Sequence, residues 1–150
     1  MNTQGAAARG FTLIEVLIVV VILGILAAIV IPQFSNASDA ARESTTRALL
    51  QTLRVQLELY KSQHEGVYPR LDQLWNNLTE HTDALGNIDA AGRFGPYLRK
   101  PPTNQYTHST TVVAIGAGTA NDGWEYNEVD GSIAAIGFDE ETGRYSPPTP

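Results

Sequence analysis

No cysteine occurs in the 150 residues. Disulfide staples and thiolate metal sites are excluded, and whatever closes the fold has to be noncovalent. Positive charge is also scarce. Ten Lys and Arg stand against sixteen Asp and Glu, for a formal net charge of −6, and the pI is near 4.9. That balance argues against a chain built to wrap nucleic acid. There are no internal repeats, no G-x-S-x-G elbow and no sign of a nucleophile beside a base. The stretch GAGTAND follows a strand signal but carries Asn121 where a dinucleotide fingerprint wants glycine, and no helix pattern comes after it. It reads as a flexible turn. His64, His81 and His108 share no ligand spacing, and each reads as a surface residue.

The sharpest absence is local. From Val16 to Ile31 no residue is charged or strongly polar. Counted from Phe11, a helix rising 1.5 Å per residue covers roughly 30 Å, the thickness of a hydrocarbon core. Arg9 lies just before this run, and the first charges after it are Asp39 and Arg42. The positive-inside tendency then leaves the N-terminus cytoplasmic and sends the remainder outward. One residue is out of keeping. Glu15 stands four positions after Phe11 inside the apolar run, where an ionised carboxylate is costly unless something neutralises it.

Three readings compete for this segment. A secretory signal cut after the apolar run has small residues available at Ser35-Asn36-Ala37, giving a mature start at Ser38. A plain N-terminal anchor fits the length and leaves Glu15 unexplained. The third places a cut before the run, at Gly10–Phe11. The residues RGFTLIEVLIVVVILGILAAIVIPQF, from Arg9 to Phe34, strongly resemble the N-terminus of the type IV pilin and pseudopilin superfamily, with Gly10, Phe11, Glu15, Gly24 and Pro32 in register. The resemblance implies a short leader removed after Gly10 by a membrane prepilin peptidase, with methylation of the new amine on Phe11. It also implies that Glu15 neutralises the N-terminal amine of a neighbouring subunit as the helices assemble into a filament. A charge pair in low dielectric is far less costly than two isolated charges.

Beyond Pro32, which should kink a helix, SNASDAARESTTRALLQTLRVQLELYKSQHEG continues in helical register to about His64. Leu49, Leu53, Leu57 and Tyr60 make an apolar face, Glu43, Arg47, Arg54, Glu58 and Lys61 solvate others, and Gly66 is a stop signal. Gly24 and Pro32 mark where the helix could bend. A short helix follows with Leu71, Leu74, Trp75 and Leu78 on its apolar face, then a loop tract from Thr82 to Tyr106 that Tyr97 and Leu98 anchor. Three short strand signals close the chain, at 110–115, 123–127 and 132–138, with turn chemistry at Asp122-Gly123 and Asp130-Gly131. The expected class is α+β: one long N-terminal helix, apolar then amphipathic, on a small antiparallel sheet of about three strands. The expected organisation is a leader at 1–10, a membrane and filament-core helix at 11–34, an amphipathic helix at 35–66, a globular head at 67–146 and a tail at 147–150.

YKSQHEGVYP resembles the Tyr-Lys and Gly-x-Tyr-Pro pattern of major pseudopilins of type II secretion, and the lack of the C-terminal disulfide found in many type IV pilins points the same way. The resemblance implies a non-enzymatic subunit of a homo-oligomeric filament. It implies residence in the inner membrane with the head periplasmic. Its implied partners are the prepilin peptidase, an inner-membrane assembly platform with its ATPase, and minor pseudopilins. Major pseudopilins of this kind bind calcium in a C-terminal loop; Asp122, Asp130 and Asp139 offer oxygens here, although their spacing matches no calcium-loop pattern. Otherwise no cofactor is expected. Alternatives are a type IV pilus or DNA-uptake pilin using Arg93, Arg99 and Lys100, a minor tip subunit, and a secreted or anchored binding protein or enzyme. Asn77-Leu78-Thr79 is formally a glycosylation sequon on a helix.

Overall fold

The computed structural model of the chain describes residues 10–148, apart from the side chains of 31–36. The leader expected at 1–10 lies outside these residues except for Gly10, as do the last two positions of the expected tail. Two compact units are present, one ending at Asp39 and one beginning at Ala40.

A single helix, α1 (Leu13–Gln63), contributes to both, and its assignment is unbroken through Gly24 and Pro32. In the first unit it is apolar on every side, and its 18-residue window Leu13–Val30 has a mean hydropathy of 3.2 with none of it buried. It is long and apolar enough to cross a membrane. In the second unit Thr46, Leu50, Leu53, Leu57, Tyr60 and His64 form one buried line at alternating spacings of four and three. Leu50, not the expected Leu49, occupies this line; Leu49 is half-buried beside the core. The reason is the 3.6-residue repeat: stepping back three from Leu53 stays nearer the centre of the buried face than stepping back four. The helix stops where Glu65 (φ 55) and Gly66 (φ 80) turn left-handed and the Gly66 N–H donates to the Lys61 carbonyl at 3.0 Å.

A 3-10 turn (Leu71–Gln73) leads into α2 (Leu74–Thr79), which buries Leu74, Asn77 and Leu78. The strands are β1 (Val112–Ala114), β2 (Trp124–Tyr126) and β3 (Ile133–Ala135), in the order β1-β2-β3. The number of strands is as expected; the pairing is mixed. β2 and β3 form the antiparallel hairpin, with Trp124 opposite Ala135 and Tyr126 opposite Ile133, whereas β1 and β2 are parallel, with Val112 opposite Trp124. Asp122-Gly123 does not make a hairpin turn. It sits at the far end of a loop that returns to the start of β1, where the Gly123 and Trp124 N–H groups both donate to the Thr111 carbonyl. The Asp130-Gly131 turn does belong to the hairpin: Gly131 has φ 76, and a Cβ there would collide with the Tyr68 ring.

The core joins the buried line of α1 to Tyr68, Leu74, Leu78, Trp124, Tyr126, Ile133, Ala135 and Phe138. Its polar edges are tied down. The Trp124 indole donates to the Pro102 carbonyl at 3.0 Å and the Tyr126 hydroxyl to the Pro69 carbonyl at 2.9 Å. Tyr97 and Leu98 anchor the long loop, their N–H groups both donating to the Leu78 carbonyl. Asn104 was not foreseen. Fully buried, its amide donates to the carbonyls of Gly123 (2.6 Å) and Ile136 (2.8 Å) while its oxygen accepts from the Tyr106 N–H (2.7 Å). The last segment is held on α1 by polar contacts: Arg54 pairs with the Glu140 carboxylate, Arg47 donates to the Glu140 carbonyl at 2.9 Å, and Gly143 lies against Glu43.

Asn104→Ala strands the buried Ile136 carbonyl and the Tyr106 N–H and leaves the Gly123 carbonyl with only the Ile136 N–H, so it should lower unfolding stability by about 2–4 kcal/mol. Denaturant melts of the variant would measure this, and a loss no larger than that of a surface alanine substitution would contradict the assigned role.

Candidate functional site

At the start of α1 the sequence Thr12-Leu13-Ile14-Glu15 forms a reciprocal cap. The Glu15 Oε2 atom accepts from the Thr12 N–H at 2.9 Å and from the Thr12 hydroxyl at 2.8 Å, while the Glu15 N–H points to the Thr12 Oγ1 at 3.3 Å. The Thr12 carbonyl accepts the first turn bond, from the Val16 N–H. This is the S/T-x-x-E capping box, in which two orphan donors of the helix end are satisfied by two side chains. Thr12 was missed in reading the sequence, although its spacing from Glu15 is that motif.

The cap changes what Glu15 can do. Its side chain is drawn back over the helix N-terminus, where the positive end of the backbone dipole favours a carboxylate. Only Oε2 is used; among the described residues no cation approaches Glu15 and no hydrogen bond engages Oε1. One oxygen of the carboxylate is thus left without a hydrogen bond among the described residues. Gly10 and Phe11 stand immediately before the cap; Phe11 is 82% exposed, and nothing lies within 4 Å of a Cβ at Gly10. Gly24 is equally open, within the apolar helix.

The three C-terminal aspartates are not brought to one point. Asp122 accepts from the Thr119 N–H and hydroxyl and from the Thr111 hydroxyl, Asp130 from the Ser132 N–H, and Asp139 from the Glu141 and Thr142 N–H groups and the Thr142 hydroxyl. Each carboxyl is held below its ordinary value by the loop that it closes: Asp122 by Thr119, Asp130 by Ser132 and Asp139 by Thr142. Among the described residues no group of three His, Asp or Glu side chains could hold a metal ion. As placed, these three do not fit calcium, which wants six to eight oxygens around one centre.

Arg93, Arg99 and Lys100 are exposed on the loop between α2 and β1. His81 and His108 are exposed, as expected, but His64 is buried. Its Nδ1 lies 2.8 Å from the Tyr60 carbonyl and its Nε2 2.9 Å from the Thr82 hydroxyl, and its ring stacks on Tyr60 at 3.7 Å. It falls there because it continues the i, i+4 line of Tyr60 into the first residue past α1. Asn77 is buried too, donating to the Tyr60 hydroxyl and the Gly86 carbonyl, so the sequon is a structural amide.

The family described as "Prokaryotic N-terminal methylation motif" matches residues 6–31. The type II secretion system core protein G of Pseudomonas aeruginosa is 42% identical over 107 residues, covering 71% of this chain and 74% of that one. The protein of the same name in Vibrio cholerae is also 42% identical over 107 residues, covering 71% of each chain. The type IV narrow pilus major component of Thermus thermophilus is 40% identical over 70 residues, which is 47% of this chain and 60% of that one. No solved structure matches.

Replacing Thr12 by Val removes one arm of the cap and should destabilise the first turn by about 1 kcal/mol. Amide exchange across Leu13–Val16 in detergent-solubilised protein should speed up about five-fold, and Thr12→Ser should restore the slow rate. Equal rates in the three proteins would remove the cap from the account.

Proposed function

Because the chain belongs to the family of the type II secretion system core protein G, a family of structural pseudopilins, we propose that it is the pilin-like subunit of a type II secretion pseudopilus, a filament that assembles from the inner membrane and helps drive protein export. The observation that carries this reading is the match of the methylation motif to residues 6–31, ending inside the helix that is apolar on every side.

The leader ends at Gly10, prepilin peptidase cuts before Phe11, and the new amine is methylated. α1 holds the subunit in the inner membrane with the N-terminus cytoplasmic and the head periplasmic until an assembly platform and its ATPase transfer it to the filament. There the Glu15 oxygen left open by the cap takes the Phe11 amine of a neighbouring copy, so that neither charge is buried alone. Gly24 and Pro32 are the points at which α1 bends as subunits move from bilayer to filament. Minor pseudopilins join the same assembly. The chain performs no catalysis and uses no cofactor in this role.

A second reading, a type IV pilus or uptake pilin, is supported by the Thermus relative. In that role the exposed Arg99 and Lys100 would meet DNA, with an affinity that falls as salt rises.

Intact mass and the N-terminal peptide of the mature protein, taken from its native membrane, test the processing. A chain starting at methylated Phe11 is expected; a start at Met1 or Ser38 would end the filament reading. Glu15→Gln should insert and be processed normally but yield about ten-fold fewer filaments, since the incoming amine loses its counter-charge. Undiminished filament yield from that variant would show that the carboxylate is dispensable.

A further inference from the structure

Within the second unit a cleft of about 450 Å³ opens between the end of α1 and the loop that follows α2, with Tyr60 and Asn77 in its lining. Asn77 spends both hydrogens of its amide, on the Tyr60 hydroxyl at 2.7 Å and on the Gly86 carbonyl at 2.8 Å. Two groups are left over. Among the described residues the Asn77 oxygen accepts no hydrogen bond, and the Tyr60 hydroxyl, an acceptor here, donates none. Tyr60 is 3% exposed and Asn77 5%. A buried donor and a buried acceptor left unspent cost free energy until something takes them up. Above them the rim is apolar: Val67, Leu85 and Ile88 are all exposed. Leu85 is not on a loose loop. The Asp83 carboxylate accepts from the Leu85 and Asn87 N–H groups, both at 2.9 Å, and from the Asn87 amide at 3.0 Å. Three hydrogen bonds thus hold an apolar side chain in water, as a preformed binding surface requires. The charged residues of the lining, Glu65 and Arg70, are one of each sign.

The same unit carries a projection of matching chemistry. From Ser109 to Asn121 no residue is charged. Within that stretch the Ala117 N–H donates to the Ala114 carbonyl at 3.0 Å, and Gly116, at φ 79, closes a tight turn whose other central residue is Ile115. The Ile115 side chain is 50% exposed. The C=O of Ile115 and the N–H of Gly116 make no hydrogen bond among the described residues. Apart from α1 and the cleft rim, the other large apolar side chains described as exposed in this unit are Val129, between Glu128 and Asp130, and Tyr145, beside Arg144. Ile115 alone stands among uncharged neighbours.

We infer that the Ile115 turn of one copy seats in the Tyr60–Leu85 cleft of the next, within the filament proposed above. Ile115 packs against the rim of Val67, Leu85 and Ile88, and the donor and acceptor left open in the cleft meet the acceptor and donor left open in the turn. Charge selects a copy of the chain as the occupant. Two subunits of net charge −6 repel each other, and this pairing brings together a turn without charge and a cleft whose lining charges cancel. The two surfaces are different, so each copy offers a cleft to one neighbour and a turn to another. Such a contact extends along a filament instead of closing a pair.

The inference rests on the filament reading, and the test separates the two. The chain has no cysteine, so single cysteines can be introduced without background. A Leu85→Cys chain and an Ile115→Cys chain, both full-length, would be produced together with their own secretion machinery and treated with a short bis-maleimide; each would also be produced alone. Covalent dimers are expected from the mixture at several times the yield of either chain alone, since cleft meets turn and never its like. Filaments that form from the mixture without this enrichment would overturn the contact and leave the filament reading intact. Adducts of the Leu85→Cys chain with a different protein, in place of the copy, would also overturn it. Failure of the unaltered protein to form filaments would overturn both. In parallel, Ile115→Asp should lower filament yield about five-fold or more, because it buries an unpaired carboxylate between copies. Its thermal unfolding should match that of the unaltered protein, since Ile115 lies outside the core. Full filament yield from Ile115→Asp would overturn the contact as well.

Discussion

The line formed by Thr46, Leu50, Leu53, Leu57, Tyr60 and His64 is the surface on which the second unit is built. α2 and the sheet are too short to bury their apolar faces against each other alone. Placed against one preformed helical stripe, they share a single core. The same helix is also apolar over a length sufficient to cross a membrane, and its own backbone bonds satisfy its polar groups without water. One element thus carries two stretches with opposite rules for where polarity belongs.

That division explains how polarity is handled at its start. Glu15 is tolerable near the beginning of an apolar segment because the first turn of any helix offers unpaired N–H groups, and Thr12 supplies a hydroxyl to fix the carboxylate over them. In the second unit the tyrosines and histidine of the core keep their polar atoms bonded: Tyr60 with Asn77, His64 with Thr82, Tyr126 with Pro69. The same satisfaction rule operates in both places with different partners.

Periodicity made much of this legible. The apolar run, the amphipathic continuation, the short helix at Leu74 and Leu78 and the hairpin across Asp130-Gly131 follow from spacing and turn residues alone. What escaped depends on contacts distant in sequence. Nothing near Asn104 announces that it will meet Gly123 and Ile136. His64 looks like the end of a solvated last turn until Thr82 and Phe94 close over it. The parallel pairing of β1 with β2 is set by where a glycine-containing loop returns, and strand patterns of three residues carry no direction. The Thr12 cap was readable locally and was overshadowed by the glutamate that it serves.

The segment around Glu140 closes the chain in place of a covalent bridge. Arg54 and Glu140 are 46% and 39% exposed, a setting in which an ion pair contributes about 0–1 kcal/mol. A closure of this kind needs no oxidant or isomerase to form and leaves no mispaired bonds to repair. Its electrostatic part weakens as ionic strength rises, a dependence on the surrounding salt that a disulfide at the same place would not have.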